Sequence, residues 1–311
     1  MKKCLLWVIV IALLMGLGVQ AQAADVLDLT PTGKIMAGYT DTSLGQVHYR
    51  YIKGTDDKLP VLIMIHQTTS DSTFYEFMMP IMAKYYSAIY CPDFPGYGGL
   101  EPTDKQVEAK GLAFYGDVFV EFMDSLNIKK CHLAGHYSGG SMALDMKYRY
   151  PDRFYSLTIM GPIYGDQEFR KRLREVSVGS VKKLVPVRDG WHLLRGWKQV
   201  EEYGAAALPL ELHQREALIN LKGWKATKQA YNAVLDYDFI KPFDNVPGPL
   251  LIMDGSKGQC FEFFEAAKKA RPDAVSLVLE GCHDYFPYEK PNEVAAAIIS
   301  FTKDVDKTTK K

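Results

Sequence analysis

A series of short apolar runs, each ending at a glycine, a proline or a polar residue, restricts the fold of this chain more than any other feature. Uninterrupted apolar runs of this length are typical of strands that are buried on both faces of a sheet. Together with one segment that alternates polar and apolar residues, they predict strands at residues 46–52, 61–65, 87–91, 131–134, 155–160, 250–253 and 275–279. Helical patterns lie between most of these strands, at residues 74–85, 104–126, 139–150, 260–270 and 291–303. The alternation of buried strands with helices predicts an α/β fold with a mostly parallel sheet.

The segment at residues 163–245 breaks this alternation. It contains no strand-like run but has several helix-like stretches rich in Trp, Tyr, Leu and Lys. We therefore predict a block of helices inserted between two strands of the sheet. The core is expected to consist of residues 24–162 and 246–311, which flank the insertion.

Residues 1–23 have the pattern of a secretory signal peptide. A pair of lysines precedes an apolar run at residues 5–19, and Ala21-Gln22-Ala23 then supplies small residues at a cleavage site. The apolar run is short for a membrane-spanning helix. We expect cleavage after Ala23 or Ala24, and hence an exported bacterial protein, periplasmic or secreted, without a stable membrane anchor.

The composition and the charge balance exclude several classes of protein. Hydrophobic residues make up 47% of the 311 residues and charged residues 24%, which excludes general disorder. Lysine and arginine together number 37, as do aspartate and glutamate, so no basic excess indicates nucleic-acid binding. We expect no nucleic-acid partner, no cofactor and no metal ion.

Four polar or glycine-rich segments directly follow predicted strands. Ligands in open α/β sheets bind beyond the carboxyl ends of the strands, so these segments are expected to form the functional site. They are His66-Gln67-Thr68-Thr69, an Asp-x-Pro-Gly-x-Gly segment that begins at Asp93, Gly135-His136-Tyr137-Ser138-Gly139-Gly140, and Gly281-Cys282-His283-Asp284.

These segments resemble, in this order, those of the α/β-hydrolase family, and the resemblance covers essentially the whole chain after residue 23. The most specific stretch is residues 130–154, which matches the family's strand, tight turn and helix without a gap. The resemblance implies a central eight-stranded, mostly parallel sheet flanked by helices, with residues 163–245 as a helical cap inserted after the sixth strand. It also implies a nucleophile on a Gly-x-Ser-x-Gly turn, a histidine base, an acid that orients the histidine, and backbone N–H groups that stabilise an oxyanion.

The sequence departs from this pattern at the nucleophile. In the gapless register Tyr137 takes the place of the serine, and Ser138 follows one residue later. The alternative register centres the turn on Ser138 but places His136 where the turn requires glycine, so we favour Tyr137. A phenol has an ordinary pKa of about 10 and is hardly ionised at neutral pH. We therefore expect Tyr137 to serve as a proton partner or ligand contact more readily than as a nucleophile.

The predicted base is His283, which matches the catalytic histidine of the family. Gly258 stands at the position of the family's usual acid, and Gly161 at the position to which that acid is sometimes relocated, so neither can orient His283. Three aspartates lie close to these segments without falling on a motif position, namely Asp166, Asp254 and Asp284.

A candidate anion-binding site follows the first buried strand. His66 matches the histidine of the family's His-Gly loop, with Gln67 in place of the glycine. The predicted oxyanion donors are the backbone N–H groups of Gln67 or Thr68 and of Ser138, since this role needs no particular side chain. We expect His66 and Asp93 to pack the loops rather than to take part in chemistry.

Four cysteines remain after residue 23. Cys260 and Cys282 follow neighbouring predicted strands, and a disulfide between them would join the loop at the acid position to the loop of His283. Two buried free thiols are the alternative. Cys91 and Cys131 lie within apolar runs and are expected in the core.

Two functions are compatible with these residues. The first is an exported hydrolase with an atypical catalytic triad that acts on a small, apolar or aromatic ester-like substrate, with His283 as base and Tyr137 or Ser138 as its partner. The second is a non-catalytic small-molecule-binding protein that has lost the triad. Aromatic residues of the insertion favour an apolar or aromatic pocket in both cases. They are Trp191, Trp197, Tyr203, Trp224, Tyr231 and Tyr237.

Overall fold

The computed structural model describes residues 27–98, 101–204 and 207–309, so the predicted signal peptide lies outside the described residues. Every predicted strand is present, with ends shifted by at most two residues. The strands are β1 (Met36–Thr42), β2 (Gly45–Lys53), β3 (Val61–Ile65), β4 (Ala88–Pro92), β5 (Cys131–His136), β6 (Phe154–Met160), β7 (Leu250–Gly255) and β8 (Val275–Leu279). The sequence did not predict β1, because this strand alternates exposed and half-buried residues and contains no apolar run.

The eight strands form one sheet in the order β1-β2-β4-β3-β5-β6-β7-β8. The β1–β2 and β2–β4 pairs are antiparallel, and every pair from β4 to β8 is parallel. This confirms the predicted mostly parallel eight-stranded sheet. Since β3 to β8 run in one direction, the polar segments that follow them meet at one edge of the sheet.

Helices cover both faces of the sheet. They are α1 (Met79–Met82), α2 (Asp104–Lys110), α3 (Leu112–Ser125), α4 (Ser138–Arg149), α5 (Gln167–Val181), α6 (Trp191–Glu202), α7 (Leu210–Lys222), α8 (Trp224–Asp236), α9 (Ile240–Asn245), α10 (Phe264–Ala270), α11 (Phe286–Glu289) and α12 (Pro291–Thr309). The single helix predicted at residues 104–126 is divided into α2 and α3 at Gly111, where φ is +58°. The helix predicted at residues 74–85 is a series of short 3₁₀ and α turns.

Side chains that alternate along the strands fill two apolar cores, one on each face of the sheet. On β3, Ile63 and Ile65 belong to the core that includes residues of α3, α4 and α8. Leu62 and Met64 point the other way, into the core that includes residues of α12. Both faces are therefore buried, as the uninterrupted apolar runs predict.

The chain between β6 and β7 is helical, and it comprises α5 to α9. Within it α5 packs against α8 and α6 packs against α7, while α8 also contacts α2, α3 and α4 of the core. This confirms the predicted insertion of helices after the sixth strand. In the described part of the chain, no helix combines the length and the apolar character needed to cross a bilayer.

Candidate active site

Tyr137 occupies the tight bend between β5 and α4. Its backbone has φ of 45° and ψ of −108°, in the region that favours glycine, and α4 begins at Ser138. A Cβ at Gly135 would overlap the backbone of Gly139, and a Cβ at Gly139 would overlap the carbonyl oxygen of His66. The bend therefore requires glycine on both sides of Tyr137, and the gapless register is the one that the chain adopts.

The phenol ring of Tyr137 lies between two glycines. A Cβ at Gly161 would be 2.5 Å from Cε1 of the ring, and a Cβ at Gly258 would be 2.6 Å from the hydroxyl oxygen. These are the two positions that the resemblance assigns to the family's acid. The phenol ring occupies the space that a side chain at either position would need.

The hydroxyl of Tyr137 contacts two carboxyl groups. Oδ1 of Asp284 is 2.8 Å away and Oδ1 of Asp254 is 3.1 Å away. Asp284 also accepts hydrogen bonds from the backbone N–H and the Nε2 of Gln259, at 2.9 and 2.7 Å. Asp254 accepts one from the N–H of Gly255 at 2.8 Å, while its Oδ2 is buried without a hydrogen-bond partner. The site is thus a phenol bridging two buried carboxyls.

Burial determines the protonation of this group. It raises the pKa of Asp254 to about 8, with a further contribution from the charge of Asp284, and it raises the pKa of Asp284 to about 6. The pKa of Tyr137 rises well above its ordinary value because of burial and of the two aspartates. At neutral pH the phenol keeps its proton and Asp254 keeps one too. Asp254 can then donate to the phenol oxygen while the phenol donates to the Asp284 carboxylate. A phenolate nucleophile is strongly disfavoured.

His283 does not pair with Tyr137, which corrects the predicted arrangement. Nδ1 of His283 lies 3.5 Å from Oε2 of Glu289, and its backbone N–H donates to Oε1 of the same residue at 2.9 Å. The imidazole is one-third exposed and is absent from the cavity wall. The physical reason is the length of tyrosine: its hydroxyl extends past the place of a serine hydroxyl and reaches Asp284, the residue after His283. A catalytic role for His283 remains a prediction.

Ser138 is held by the loop that follows β3. Its Oγ accepts hydrogen bonds from the backbone N–H of Thr68 at 2.9 Å and from the Thr68 hydroxyl at 2.6 Å. Gln67, Thr68 and Ser138 all line the same cavity, so the structure brings the predicted oxyanion residues together. In this arrangement the Thr68 N–H is engaged by Ser138.

His66 and Asp93 hold the loops around the site. The Nδ1 of His66 bonds the carbonyl oxygen of Gln67 at 2.8 Å, and its Nε2 accepts from the N–H of Phe94 at 3.0 Å. Asp93 accepts from the N–H of Ser72 at 2.6 Å and pairs with Nδ1 of His48 at 2.8 Å. Both side chains are buried with their polar atoms satisfied by the loops, as expected for packing residues.

A cavity lies between the bend and the inserted helices. Its volume is about 60 Å³, which suits a small molecule. Its wall consists of Gln67, Thr68, Thr69, Tyr137, Ser138, Ile163, Leu173, Ser177, Tyr203, Tyr231, Val234, Leu235, Gln259, Cys260 and Asp284. Among the aromatic residues expected at the pocket, Tyr203 and Tyr231 line it. Trp191 is instead 55% exposed, and Trp197 stacks on His213.

Glu216 joins the inserted helices to the loop that follows β3 and to α11, and sequence reasoning missed it. Its side chain on α7 is fully buried, with Oε2 accepting from Ser70 Oγ at 2.5 Å and Oε1 accepting from the Tyr288 hydroxyl at 2.7 Å. Burial raises the pKa of Glu216 to about 7. No sequence signal identifies this glutamate, because its partners lie 146 and 72 residues away.

Of the two alternatives for Cys260 and Cys282, the structure has two buried free thiols and no disulfide between them. Cys260 lies in the core on one face of the sheet and also lines the cavity, whereas Cys282 lies in the core on the opposite face. The sheet therefore separates two residues that the sequence places after neighbouring strands. Cys91 and Cys131 are buried within their strands, as expected.

Within the residues that the structure describes, no group of three or more His, Cys, Asp or Glu side chains is arranged to hold a metal ion. The carboxyls of Asp254 and Asp284 share the Tyr137 hydroxyl instead. The chemistry that this arrangement can support is proton transfer, with the Asp284 carboxylate as acceptor and the phenol as donor.

Several hydrolases are similar to this chain over part of its sequence. It is 35% identical to a 2-hydroxy-6-oxo-6-phenylhexa-2,4-dienoate hydrolase of Burkholderia cepacia over 91 residues, which cover 29% of this chain and 31% of that protein. It is 34% identical to a 2-hydroxymuconate semialdehyde hydrolase of Pseudomonas sp. (strain CF600) over 104 residues, 32% of this chain and 35% of that protein. The chain thus spans about a third of the length of these relatives.

Solved structures extend the similarity of the fold. An enol-lactonase from Burkholderia xenovorans LB400 superposes with a TM-score of 0.72 at 16% identity, covering 86% of this chain and 100% of that one. An E-2-(acetamidomethylene)succinate hydrolase superposes with a TM-score of 0.68 at 20% identity, covering 87% of this chain and 100% of that one. The sequence profile described as the alpha/beta hydrolase family matches residues 62–297, which is well over half of the chain. The fold, the glycine-flanked bend and this match together place the chain in the alpha/beta hydrolase family.

Proposed function

We propose that the protein hydrolyses small, mainly apolar ester-like molecules by direct attack of water, with Asp284 as general base and Tyr137 as proton donor. The observation that carries this proposal is the 2.8 Å hydrogen bond between the Tyr137 hydroxyl and Asp284 at the wall of the cavity. The phenol keeps its proton, so a covalent tyrosyl intermediate is not part of the proposal. Hydrolytic chemistry is supported by the names of two relatives, which are hydrolases.

The proposed reaction has two proton transfers. The Asp284 carboxylate takes a proton from water as the water oxygen bonds to the carbonyl carbon of the substrate. Charge that develops on the carbonyl oxygen is stabilised by the backbone N–H groups of Gln67 and Ser138, which a substitution of the Ser138 hydroxyl leaves in place. When the bond to the leaving group breaks, the leaving oxygen takes the proton back from Asp284, directly or through the Tyr137 hydroxyl. The products are a carboxylic acid and an alcohol, and Asp284 is again a carboxylate.

A panel of short aryl and alkyl esters tests the proposal with the wild type and four variants. We expect Asp284→Asn to lower kcat/KM about a hundredfold or more and Tyr137→Phe to lower it about tenfold. His283→Ala and Ser138→Ala should stay within a few-fold of the wild type. A fluorophosphonate that labels serine nucleophiles should leave the protein unmodified. Loss of activity in Ser138→Ala or His283→Ala, with Asp284→Asn active, would refute the proposed mechanism.

A second candidate is a binding protein without turnover. The observation that favours it is that Tyr137 fills the space next to Gly161 and Gly258, where a triad acid would act. In that case no ester of the panel is hydrolysed, while a small apolar amide still binds in the cavity. Isothermal titration with such an amide, performed beside the ester assay, distinguishes the two functions.

We also propose that the protein works outside the cytoplasm. The support is in the sequence: two lysines, the apolar run at residues 5–19 and the Ala21-Gln22-Ala23 site. N-terminal sequencing of the protein from a bacterial periplasmic fraction should begin at Ala24 or Asp25. A cytoplasmic protein that retains Met1 or Lys2 would contradict export.

A further inference from the structure

The charge on the wall of the cavity has one sign only. Among its described residues Asp284 carries the single charged side chain at neutral pH, and no lysine, arginine or histidine is present. Directly behind it, Asp254 shares the Tyr137 hydroxyl with Asp284. A molecule in this cavity therefore meets a carboxylate and no cation.

No cation is in direct contact with this negative charge among the residues that the structure describes. In the described part of the chain neither Asp284 nor Asp254 forms an ion pair, and the partners of Asp284 are the uncharged Gln259 and Tyr137. His283, the neighbouring residue in the chain, lowers the pKa of Asp284 through its charge, but its Nδ1 lies against Oε2 of Glu289 at 3.5 Å and the imidazole does not line the cavity. Both carboxyls are at least nine-tenths buried, so water screens the Asp284 charge only weakly.

Uncharged polar groups, by contrast, find partners in the cavity. The side-chain amides of Gln67 and Gln259 each have two N–H groups, of which one bonds within the protein, so the other can donate to a carbonyl oxygen. The remaining wall is apolar or aromatic, with Ile163 and Leu235 among its residues. A carboxylate in the same place would lose its hydration and gain no cationic partner.

We infer that the cavity accepts an uncharged carbonyl compound and rejects carboxylates, and that Asp284 determines this specificity. The inference rests on the proposed function and narrows its substrate class to uncharged carbonyl compounds. It also gives Asp284 a role in the release of the product. Hydrolysis of an ester releases a carboxylic acid that ionises at neutral pH. Asp284 then repels the product, so the charge that selects the substrate also favours release of the acid.

Binding of two isosteric ligands, hexanamide and hexanoate, tests the inference without any turnover. By isothermal titration at pH 7.5 the wild type should bind hexanamide at least about tenfold more tightly than hexanoate. In Asp284→Asn the difference should fall to within about threefold, because hexanoate binds better. Glu293→Gln removes an acidic group from the surface helix α12 and should leave the wild-type preference unchanged. Hexanoate binding to the wild type should tighten between pH 7.5 and 5.5, as Asp284 gains a proton.

The outcomes separate this inference from the proposed function. Equal binding of the two ligands by the wild type, tighter binding of hexanoate, or no binding of hexanamide would overturn the inference. Turnover of 4-nitrophenyl butyrate together with equally fast turnover of 4-nitrophenyl hemisuccinate would overturn it while hydrolysis stands. If hexanamide is preferred and no ester is hydrolysed, the inference about charge holds and the proposed function fails.

Discussion

The hydroxyl oxygen of Tyr137 lies 2.6 Å from the point where a Cβ at Gly258 would stand. The sequence resemblance assigns the family's usual acid to residue 258 and its nucleophile to residue 137. In this protein the long side chain of Tyr137 leaves no space for a side chain at residue 258. The bend presents a phenol whose hydroxyl contacts the carboxyls of Asp254 and Asp284.

Gly258→Ala should destabilise the protein, because the new methyl group would also lie 2.8 Å from Oδ1 of Asp254. We expect a loss of about 1–3 kcal/mol in the free energy of unfolding, measured with urea. Gly179→Ala, on α5 with no atom within 4 Å of its Cβ, is the matched control and should be neutral or slightly stabilising. In a Tyr137→Ser background the cost of Gly258→Ala should shrink by at least about 0.5 kcal/mol. An unchanged cost would mean that the phenol is not the obstacle.

Asp254→Asn should make the protein more stable above neutral pH. The pKa of Asp254 is raised by burial to about 8, so between pH 4 and pH 8 the folded state holds a proton that the unfolded state releases. The contribution of this group to stability therefore falls as the pH rises through that range. The variant removes this loss, and its melting temperature should exceed that of the wild type by several degrees at pH 8 and by little at pH 4. Equal melting temperatures at both pH values would contradict the placement of Asp254.

Glu216→Ala should weaken the attachment of the inserted helices. The change leaves the hydroxyls of Ser70 and Tyr288 without their acceptor, which costs about 1–3 kcal/mol in the free energy of unfolding. Glu216→Gln keeps an acceptor and should cost less. Burial raises the pKa of Glu216 to about 7, so between about pH 4.5 and pH 7 the folded state holds a proton that the unfolded state releases. The contribution of Glu216 to the free energy of unfolding of the wild type therefore declines as the pH rises through this range. This decline should be absent in the Gln variant, and urea denaturation at pH 5 and pH 7.5 measures it.

The four cysteines of the described chain should all react as thiols after unfolding. Alkylation of the denatured, unreduced protein with iodoacetamide should modify Cys91, Cys131, Cys260 and Cys282. The reason is that the sheet lies between Cys260 and Cys282, whose side chains belong to different cores. Mass spectrometry of the peptides provides the measurement. A peptide pair linked through these two residues would refute the free-thiol assignment.

Local sequence patterns predicted the strands well. An uninterrupted apolar run such as residues 61–65 is buried on both sides only when it forms an inner strand of the sheet in an α/β protein. The edge strand β1 lacked that signal. Gly111 shows a different limit: the apolar pattern of residues 104–126 continues through it, yet the backbone turns to positive φ there and divides the helix. Periodicity reports which side chains face the core, and it is insensitive to a single break between two helices.

The sequence alone determined the fold, the bend at Tyr137 and the loops that surround it, since glycine spacing and apolar runs act through sterics and burial close along the chain. The contacts of the phenol, by contrast, could be identified only from the positions of the loops in three dimensions. Asp254 and Asp284 lie 117 and 147 residues from Tyr137 in the chain. Their carboxyls, and not the imidazole of His283, form the hydrogen bonds with the Tyr137 hydroxyl. Such pairing depends on side-chain length and on loop positions at the edge of the sheet, where a shift of a few ångströms exchanges one partner for its neighbour.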